Sequence, residues 1–250
     1  MISRKIHQIW FGDKPPLRIM ETWKNYCKKF NWEYFLWTLN DVENLNLKNK
    51  KLFNFYKTNH EAPVPYALRA MSDIARLEIV NRYGGYYFDC DFYSWCNDIE
   101  KIISLDHDMC IFTPENLYPK NCTQIDKPIR WNQFLGDFDS SHFICNGAFY
   151  ANPNNNILTD VIDNLQEVYE SNKTIMWENH GISIVNASWY TCGCWQLTHF
   201  SKKYPFLLLP QKYIFSSIEY ALENKKYDFH RNIICSYIHD HDEKRIVEYD

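Results

Sequence analysis

Residues 71–91, MSDIARLEIVNRYGGYYFDCD, decide the fold of this chain. They predict an amphipathic helix that passes through a Gly-Gly turn into an aromatic strand ending in two aspartates. Because side chains two apart in a strand leave on the same face, Asp89 and Asp91 are expected to approach one cation together, with Cys90 pointing the other way. Carboxylates suit Mg²⁺ or Mn²⁺, so the stretch predicts a metal-diphosphate site.

The spacing of the two aspartates is a weak signal by itself. Asp-X-Asp occurs at four places in the chain, which are Asp89/Asp91, Asp106/Asp108, Asp137/Asp139 and Asp240/Asp242. Only the first follows a glycine pair and a run of strand-forming aromatic residues. The context therefore selects this pair.

The helix before the strand carries three charges at helical spacing. Arg69, Asp73 and Arg76 fall at i, i+4 and i+7, which places them on one face. A helix that leads into a buried strand is poorly placed to solvate all three, so they are expected to face a polar cleft or to pair. The plainer alternative is a structural salt bridge between Asp73 and Arg76. The GGYYFDCD sequence that follows favours the functional interpretation.

Residues 72–92, SDIARLEIVNRYGGYYFDCDF, resemble the signature of family 32 glycosyltransferases, whose core is similar to the glucosylating domain of large bacterial toxins. KIHQIWFG, residues 5–12, is similar to the first strand of that family. The resemblance implies an α/β fold of the GT-A type, with a Rossmann-like mixed sheet flanked by helices. It also implies a single domain over residues 1–250, with a nucleotide-sugar half at about 1–115 and an acceptor half at about 116–250.

The resemblance implies roles for donor-binding residues. Trp10 stacks on the nucleotide base and Leu68 lines the nucleoside pocket. Asp73 and Arg76 hold the sugar and the ribose-diphosphate. Two further residues are implied at the donor, Tyr87 and Asn146, the latter within ICNGAFYANP.

It also implies the metal ligands. Asp91 is the main ligand, Asp89 contacts both the metal and the ribose or sugar, and His239 completes the shell. Three nearby residues remain alternatives to His239, namely Asp240, His241 and Asp242. The plainer interpretation is that residues 239–242 belong to a solvated tail. The catalytic set implied by the resemblance is Asp73, Arg76, Asp89 and Asp91.

The TCGCWQLT sequence at residues 191–198 is similar to a segment of the family that usually contains the motif T-G-P. Cys194 stands where proline is common.

The activity implied is that of a retaining hexosyltransferase that depends on Mn²⁺ or Mg²⁺. A UDP-sugar is favoured as donor and GDP-mannose is the alternative, with a glycan or a protein- or lipid-linked hydroxyl as acceptor. Paired carboxylates also serve phosphohydrolases and nucleotidyltransferases. A catalytically silent carbohydrate-binding protein on the same scaffold is the other competing class.

Composition and short motifs limit which partners and which cellular compartment are expected for the protein. A net charge of -4 argues against a nucleic-acid partner, and the chain has no GxGxxG or Walker pattern to hold phosphate. Nine cysteines without a paired framework indicate a reducing compartment. No stretch resembles a signal peptide or a membrane span, so the protein is expected in the cytoplasm.

Periodicity and turn residues predict the remaining elements. A βαβ start is expected from a strand over 5–10, a helix to about 30 and a strand over 32–37. A long aperiodic stretch, 114–142, is expected to face the acceptor. The other expected strands are 109–113, 143–150, 206–209 and 233–238, and the other expected helices are 48–59, 154–170 and 189–203.

Overall fold

A computed structural model describes residues 3–58, 64–102, 108–112, 129–130, 146–167, 197, 204, 207–209, 214–215 and 235–237. Its strands are β1 (Lys5–Ile9), β2 (Glu33–Trp37), β3 (Gly85–Phe88), β4 (Phe92–Ser94), β5 (Met109–Phe112), β6 (Ile129–Arg130), β7 (Ala148–Ala151), β8 (Leu207–Leu209), β9 (Ile214–Phe215) and β10 (Cys235–Tyr237). Its helices are α1 (Leu17–Phe30), α2 (Leu39–Glu43), α3 (Lys50–Thr58), α4 (Val64–Tyr83) and α5 (Ile99–Ile102), and residues 156–167 are also helical.

The first three elements form the predicted βαβ unit. β1 and β2 are parallel, in register from Lys5 opposite Glu33 to Ile9 opposite Trp37. Helix α1 begins directly after Pro16 and ends before Asn31, which adopts the left-handed conformation with φ 58°. The structure therefore confirms the βαβ arrangement that was predicted for the first 37 residues.

The main sheet has seven described strands in the order β2-β1-β3-β7-β5-β8-β6. β1 is parallel to β2 and β3, whereas β7 is antiparallel to β3 and β5, so the sheet is mixed as predicted. A smaller sheet has the order β4-β10-β9. Strands from both predicted halves of the chain share the main sheet.

Alternating side chains of β3 face two different layers. Phe88 stacks on Trp23 of α1, with ring centroids 4.0 Å apart, and Tyr86 belongs to the same apolar cluster. Tyr87 belongs to the cluster on the other face, which α3, α4 and residues 156–167 supply. The sheet therefore lies between two helical layers, and Tyr87 faces α4.

The Gly-Gly turn between α4 and β3 needs both glycines. Gly84 has φ 63° and Gly85 has φ 108°, a region that other residues rarely adopt. A Cβ on Gly85 would lie 2.7 Å from the carbonyl oxygen of Lys5, because β3 runs beside β1. The turn therefore fixes where β3 enters the sheet.

Several predicted boundaries differ from the structure. β7 begins at Ala148, not at 143, because Gly147 lies in a bend. The helix predicted from 154 begins after Asn155, whose Oδ1 accepts the N–H groups of Ile157 and Leu158 as an N-terminal cap. Most of 114–142 and of 189–203 lies outside the described residues. Within the described part of the chain, no helix combines the length and hydropathy needed to cross a bilayer.

Candidate active site

The paired aspartates lie in a turn, not in a strand, so the sequence prediction was wrong on this point. β3 ends at Phe88, and the N–H of Phe92 donates to the carbonyl oxygen of Asp89 at 3.1 Å. The cause is a change of sheet, since β3 belongs to the main sheet and β4 to the small one. Cys90 is buried, and the aspartates on either side of it are half-buried.

Arg76 joins helix α4 to this turn. Its guanidinium lies 3.0 Å from Asp89 and 3.3 Å from Asp73, and its side chain is 6% exposed. It also donates to the carbonyl oxygen of Asn146 at 3.0 Å and to the hydroxyl of Ser72 at 3.1 Å. The plainer alternative, a salt bridge between Asp73 and Arg76, is therefore observed. This salt bridge is buried, and Arg76 forms a second one with Asp89. Arg69 of the same predicted face is exposed.

Asp73 is a buried carboxylate held by two partners. Its Oδ1 accepts a hydrogen bond of 2.8 Å from the side-chain amide of Asn146 and faces Arg76. Burial raises the pKa of Asp73 to about 6, although Arg76 and Asn146 oppose the shift. The side chain is 11% exposed.

Tyr87 holds the carboxylate of Asp89 through a hydrogen bond. Its hydroxyl donates to Asp89 Oδ1 at 2.7 Å, and Arg76 lies over its ring at 4.6 Å from the centroid. Burial raises the pKa of Tyr87 well above its ordinary value, so the hydroxyl remains a donor at neutral pH. Asp89, with 31% of its side chain exposed, is the part of this network that a ligand meets first.

The structure thus brings five predicted residues into one contact network, namely Asp73, Arg76, Tyr87, Asp89 and Asn146. Sequence reasoning missed Ser72, which accepts from Arg76 and lies 3.5 Å from the Tyr87 hydroxyl. Its position four residues before Arg76 was the available signal, since such residues are neighbours on a helix.

Asp91 lies on the small-sheet side of the turn. Burial, and next the charge of Asp91, raise the pKa of the Cys235 thiol well above its usual value. β10 pairs with β4 so that Tyr237 is opposite Phe92, the residue after Asp91. The predicted third ligand, His239, and its alternatives at 240–242 lie outside the described residues.

Trp10 and Leu68 lie on the two elements that border this network. Trp10 directly follows β1, and its indole packs on Gly12, where a Cβ would lie 3.2 Å from Nε1. Leu68 is half-buried one helical turn before Ser72, on the side of α4 that carries Arg76. Of 191–198, only Leu197 is described, and it is buried.

The donor set fits a hard divalent cation only in part. Among the described residues, no group of three His, Cys, Asp or Glu side chains is placed to hold a metal ion. Asp89 and Asp91 nevertheless present two half-buried carboxylates from one short turn. Carboxylate oxygens with water and phosphate oxygens satisfy Mg²⁺ or Mn²⁺, which do not require an all-protein shell. The residues present therefore supply two carboxylate ligands for such a cation, and water and phosphate oxygens would complete its shell.

Comparison with known sequences finds a family model that matches part of the chain. Residues 16–106 match the profile of the glycosyltransferase sugar-binding region containing a DXD motif. This match includes α4, β3 and the Asp89–Asp91 pair. The resemblance to DXD glycosyltransferases is confirmed. The match also confirms the expected enzyme class, a glycosyltransferase, which implies a nucleotide-sugar donor and an acceptor. No curated protein sequence matches the chain.

Two solved structures are similar to this glycosyltransferase. A glycosyltransferase involved in the glycosylation of the major capsid of PBCV-1 has a TM-score of 0.50 at 11% identity, covering 98% of each chain. The PaToxG glycosyltransferase has a TM-score of 0.48 at 13% identity, covering 92% of this chain and 77% of that one. At this identity the likeness to the capsid-modifying enzyme concerns the fold, which is GT-A-like as predicted.

Proposed function

We propose that the protein is a retaining hexosyltransferase that takes its sugar from a nucleoside-diphosphate donor at the Asp89–Asp91 turn. A UDP-sugar is the favoured donor, with GDP-mannose as the alternative. The acceptor is a hydroxyl of a glycan or of a protein- or lipid-linked saccharide. Residues 1–250 act as one domain, which the sharing of the main sheet by both halves of the chain supports, and the protein works in the cytoplasm.

The observation that carries the proposal is the position of Arg76 beside Asp89, which follows the carboxyl end of β3. β1 and β3 are parallel, and ligands of α/β sheets bind beyond the carboxyl ends of their strands. A positive charge 3.0 Å from Asp89 is therefore fixed at the edge where a donor would bind. Electrostatic interactions are strong in buried surroundings, although Asp73 and Asp89 offset part of this positive charge.

Asp91 and Asp89 would hold Mn²⁺, or Mg²⁺ in its place. Both oxygens of Asp89 already accept hydrogen bonds, Oδ1 from Tyr87 and Oδ2 from Arg76 at 3.4 Å. This arrangement leaves Asp89 fewer lone pairs for a cation and favours Asp91 as the main ligand. A divalent ion bound there supplies charge neutralisation to the diphosphate that leaves.

His239 is proposed as the third ligand. The support is the register of the small sheet, in which β10 ends at Tyr237 opposite Phe92. His239 follows Tyr237 by two residues in the sequence, and two residues of chain span at most about 7 Å.

The other residues would bind and orient the donor. Trp10 offers an indole face for the base, and aromatic stacking does not depend on which base is present. Leu68 lines the nucleoside pocket. Asp73 accepts hydrogen bonds from sugar hydroxyls, and Asn146 fixes the direction of that carboxylate through its 2.8 Å hydrogen bond.

A screen of nucleotide sugars for Mn²⁺-dependent hydrolysis and transfer tests the proposal. We expect one UDP-sugar to be hydrolysed, the chelated enzyme to be inactive, and NMR of the product to show the anomeric configuration of the donor. Asp91→Ala is expected to lose activity with an unchanged unfolding midpoint. Asp108→Ala is the matched control, since Asp108 belongs to another Asp-X-Asp pair and bonds to Asn152. Full activity of Asp91→Ala, or release of phosphate without free nucleotide, would reject it.

A further inference from the structure

A buried amide of β1 holds the turn that carries the two aspartates. Gln8 is fully buried, and its Nε2 donates to the carbonyl oxygen of Asp89 at 3.3 Å. Its Oε1 accepts a hydrogen bond of 2.7 Å from the hydroxyl of Tyr34 on β2. We propose that Gln8 is a positioning residue for the Asp89–Phe92 turn, and that Tyr34 holds the Gln8 amide in the orientation that this contact requires.

The orientation of the Gln8 amide follows from its two partners. The carbonyl of Asp89 only accepts, so it must face Nε2, the donor end of the carboxamide. The Oε1 end then accepts from Tyr34, and burial raises the pKa of Tyr34 above its ordinary value, so its hydroxyl keeps the proton that it donates. Tyr34 therefore supports the orientation that the contact with Asp89 requires.

The carbonyl of Asp89 is the point at which the turn is fixed to the sheet. It accepts from the N–H of Phe92, which closes the turn, and from Gln8, which ties the turn to β1. The neighbours are held separately, because Cys90 donates to the carbonyl of Ile9 at 3.2 Å and Trp23 donates to the carbonyl of Phe92 at 2.7 Å. Gln8 acts on the residue that carries the first carboxylate.

Loss of this hydrogen bond is expected to loosen both carboxylates together. This consequence for metal binding rests on the proposed function. The positioning of the turn by Gln8 does not depend on it. Groups behind metal ligands typically change metal affinity by about 10- to 100-fold when they are removed. Gln8→Met keeps the size of the side chain and removes both hydrogen bonds, and Tyr34→Phe removes only the outer one.

The test combines calorimetric titration of Mn²⁺ in the presence of UDP with amide hydrogen exchange at residues 89–92 of the metal-free protein. We expect Gln8→Met to weaken Mn²⁺ binding about tenfold, and Tyr34→Phe to weaken it about threefold. Both are expected to speed exchange in the turn. Tyr150→Phe is the matched control, because it removes a buried hydroxyl that bonds to Asn152. It is expected to change neither quantity, even if its unfolding midpoint falls.

Unchanged exchange and Mn²⁺ affinity in a folded Gln8→Met variant would overturn the inference. If Gln8→Met does not fold, Tyr34→Phe provides the test. Mn²⁺ affinity and turn exchange equal to those of Tyr150→Phe would then overturn the inference. A wild-type protein that binds no Mn²⁺ would reject the proposed metal site instead. In that event faster exchange of the turn amides in the two variants would still support the role of Gln8.

Discussion

The guanidinium of Arg76 lies 3.0 Å from the carboxylate of Asp89, so an ion pair joins the middle of helix α4 to the turn after β3. The same guanidinium reaches Ser72, Asp73 and Asn146, which belong to α4 and to the chain entering β7. The guanidinium presents several donors in a rigid fork, which lets one side chain contact all of these groups. A single ammonium cannot reproduce that geometry.

Arg76→Lys tests this geometry. We expect kcat to fall by about 100-fold, because the charge is kept but the contacts to Asp89 and Asn146 cannot be made together. Steady-state kinetics with the donor identified by the screen measure the effect. Arg82→Lys is the control, since Arg82 is exposed on the same helix and bonds to the carbonyl of Asn46. Equal activity in the two variants would contradict the role of Arg76.

Tyr87→Phe tests the support beneath Asp89. The substitution removes the 2.7 Å hydrogen bond to Asp89 but keeps the ring beneath Arg76. We expect donor affinity to fall about tenfold, which corresponds to the lower end of the contribution of a hydrogen bond to a charged group. Isothermal titration of the nucleotide with Mn²⁺ checks it. Tyr86→Phe alters the neighbouring tyrosine on the opposite face of β3, and it should leave the affinity unchanged.

Gly85→Ala tests the turn that sets β3 in place. We expect a loss of about 3 kcal/mol in the free energy of unfolding, because φ 108° is strained for alanine and its Cβ meets a backbone oxygen. Urea denaturation measures the change. Gly12→Ala is the comparison, because the atoms near its Cβ belong to the side chain of Trp10, and we expect less than about 1 kcal/mol. A similar loss in both variants would refute the argument from backbone conformation.

Two buried groups give stability opposite dependences on pH. Burial lowers the pKa of His7 to about 4, below its ordinary 6.5, so the unfolded chain binds the extra proton and stability falls from pH 6.5 to 4. Relative to His7→Gln, the wild type should lose about 3 kcal/mol between pH 7 and pH 4. Burial instead raises the pKa of Asp73 to about 6. Relative to Asp73→Asn, the wild type should lose stability as pH rises from 4 to 7.

Urea unfolding at four pH values between 4 and 7 separates the two effects. The difference between wild type and each variant isolates one group, because all other titrating groups are shared. The imidazole of His7 accepts from the Trp37 indole at Nδ1 and faces the carbonyl of Gly84 at Nε2, so its neutral form has both partners. Differences that do not change with pH would show that these groups titrate alike in the folded and unfolded chains.

Local patterns predicted much of the fold because they depend on neighbours in the sequence. The helix and strand around Gly84-Gly85 were predicted from periodicity and turn residues, as was the parallel pair of β1 and β2. Helix α2 was missed although its signal was present. Thr38 and Asp41 cap its start reciprocally, at the spacing of a capping box.

The site was less predictable where distant segments meet. The pairing of Asp73 with Arg76 follows from helical spacing, but the contact of Asp73 with Asn146 depends on how β7 joins β3. The aspartates were assigned to a strand because no local pattern shows that β4 leaves the main sheet. Its partner β10 comes from the other end of the sequence. The role of Gln8 depends in the same way on Tyr34 and Asp89.

The pairing of β10 with β4 has a consequence for synthesis on the ribosome. A nascent chain that has emerged as far as residue 167 contains α4, β3 and β7 but not the strand that lies beside Phe92–Ser94. The edge of β4 therefore stays unpaired until residues 235–237 have been translated. A premature stop codon before residue 235 would leave that edge permanently open, and such a product is expected to be a substrate for chaperones and proteases.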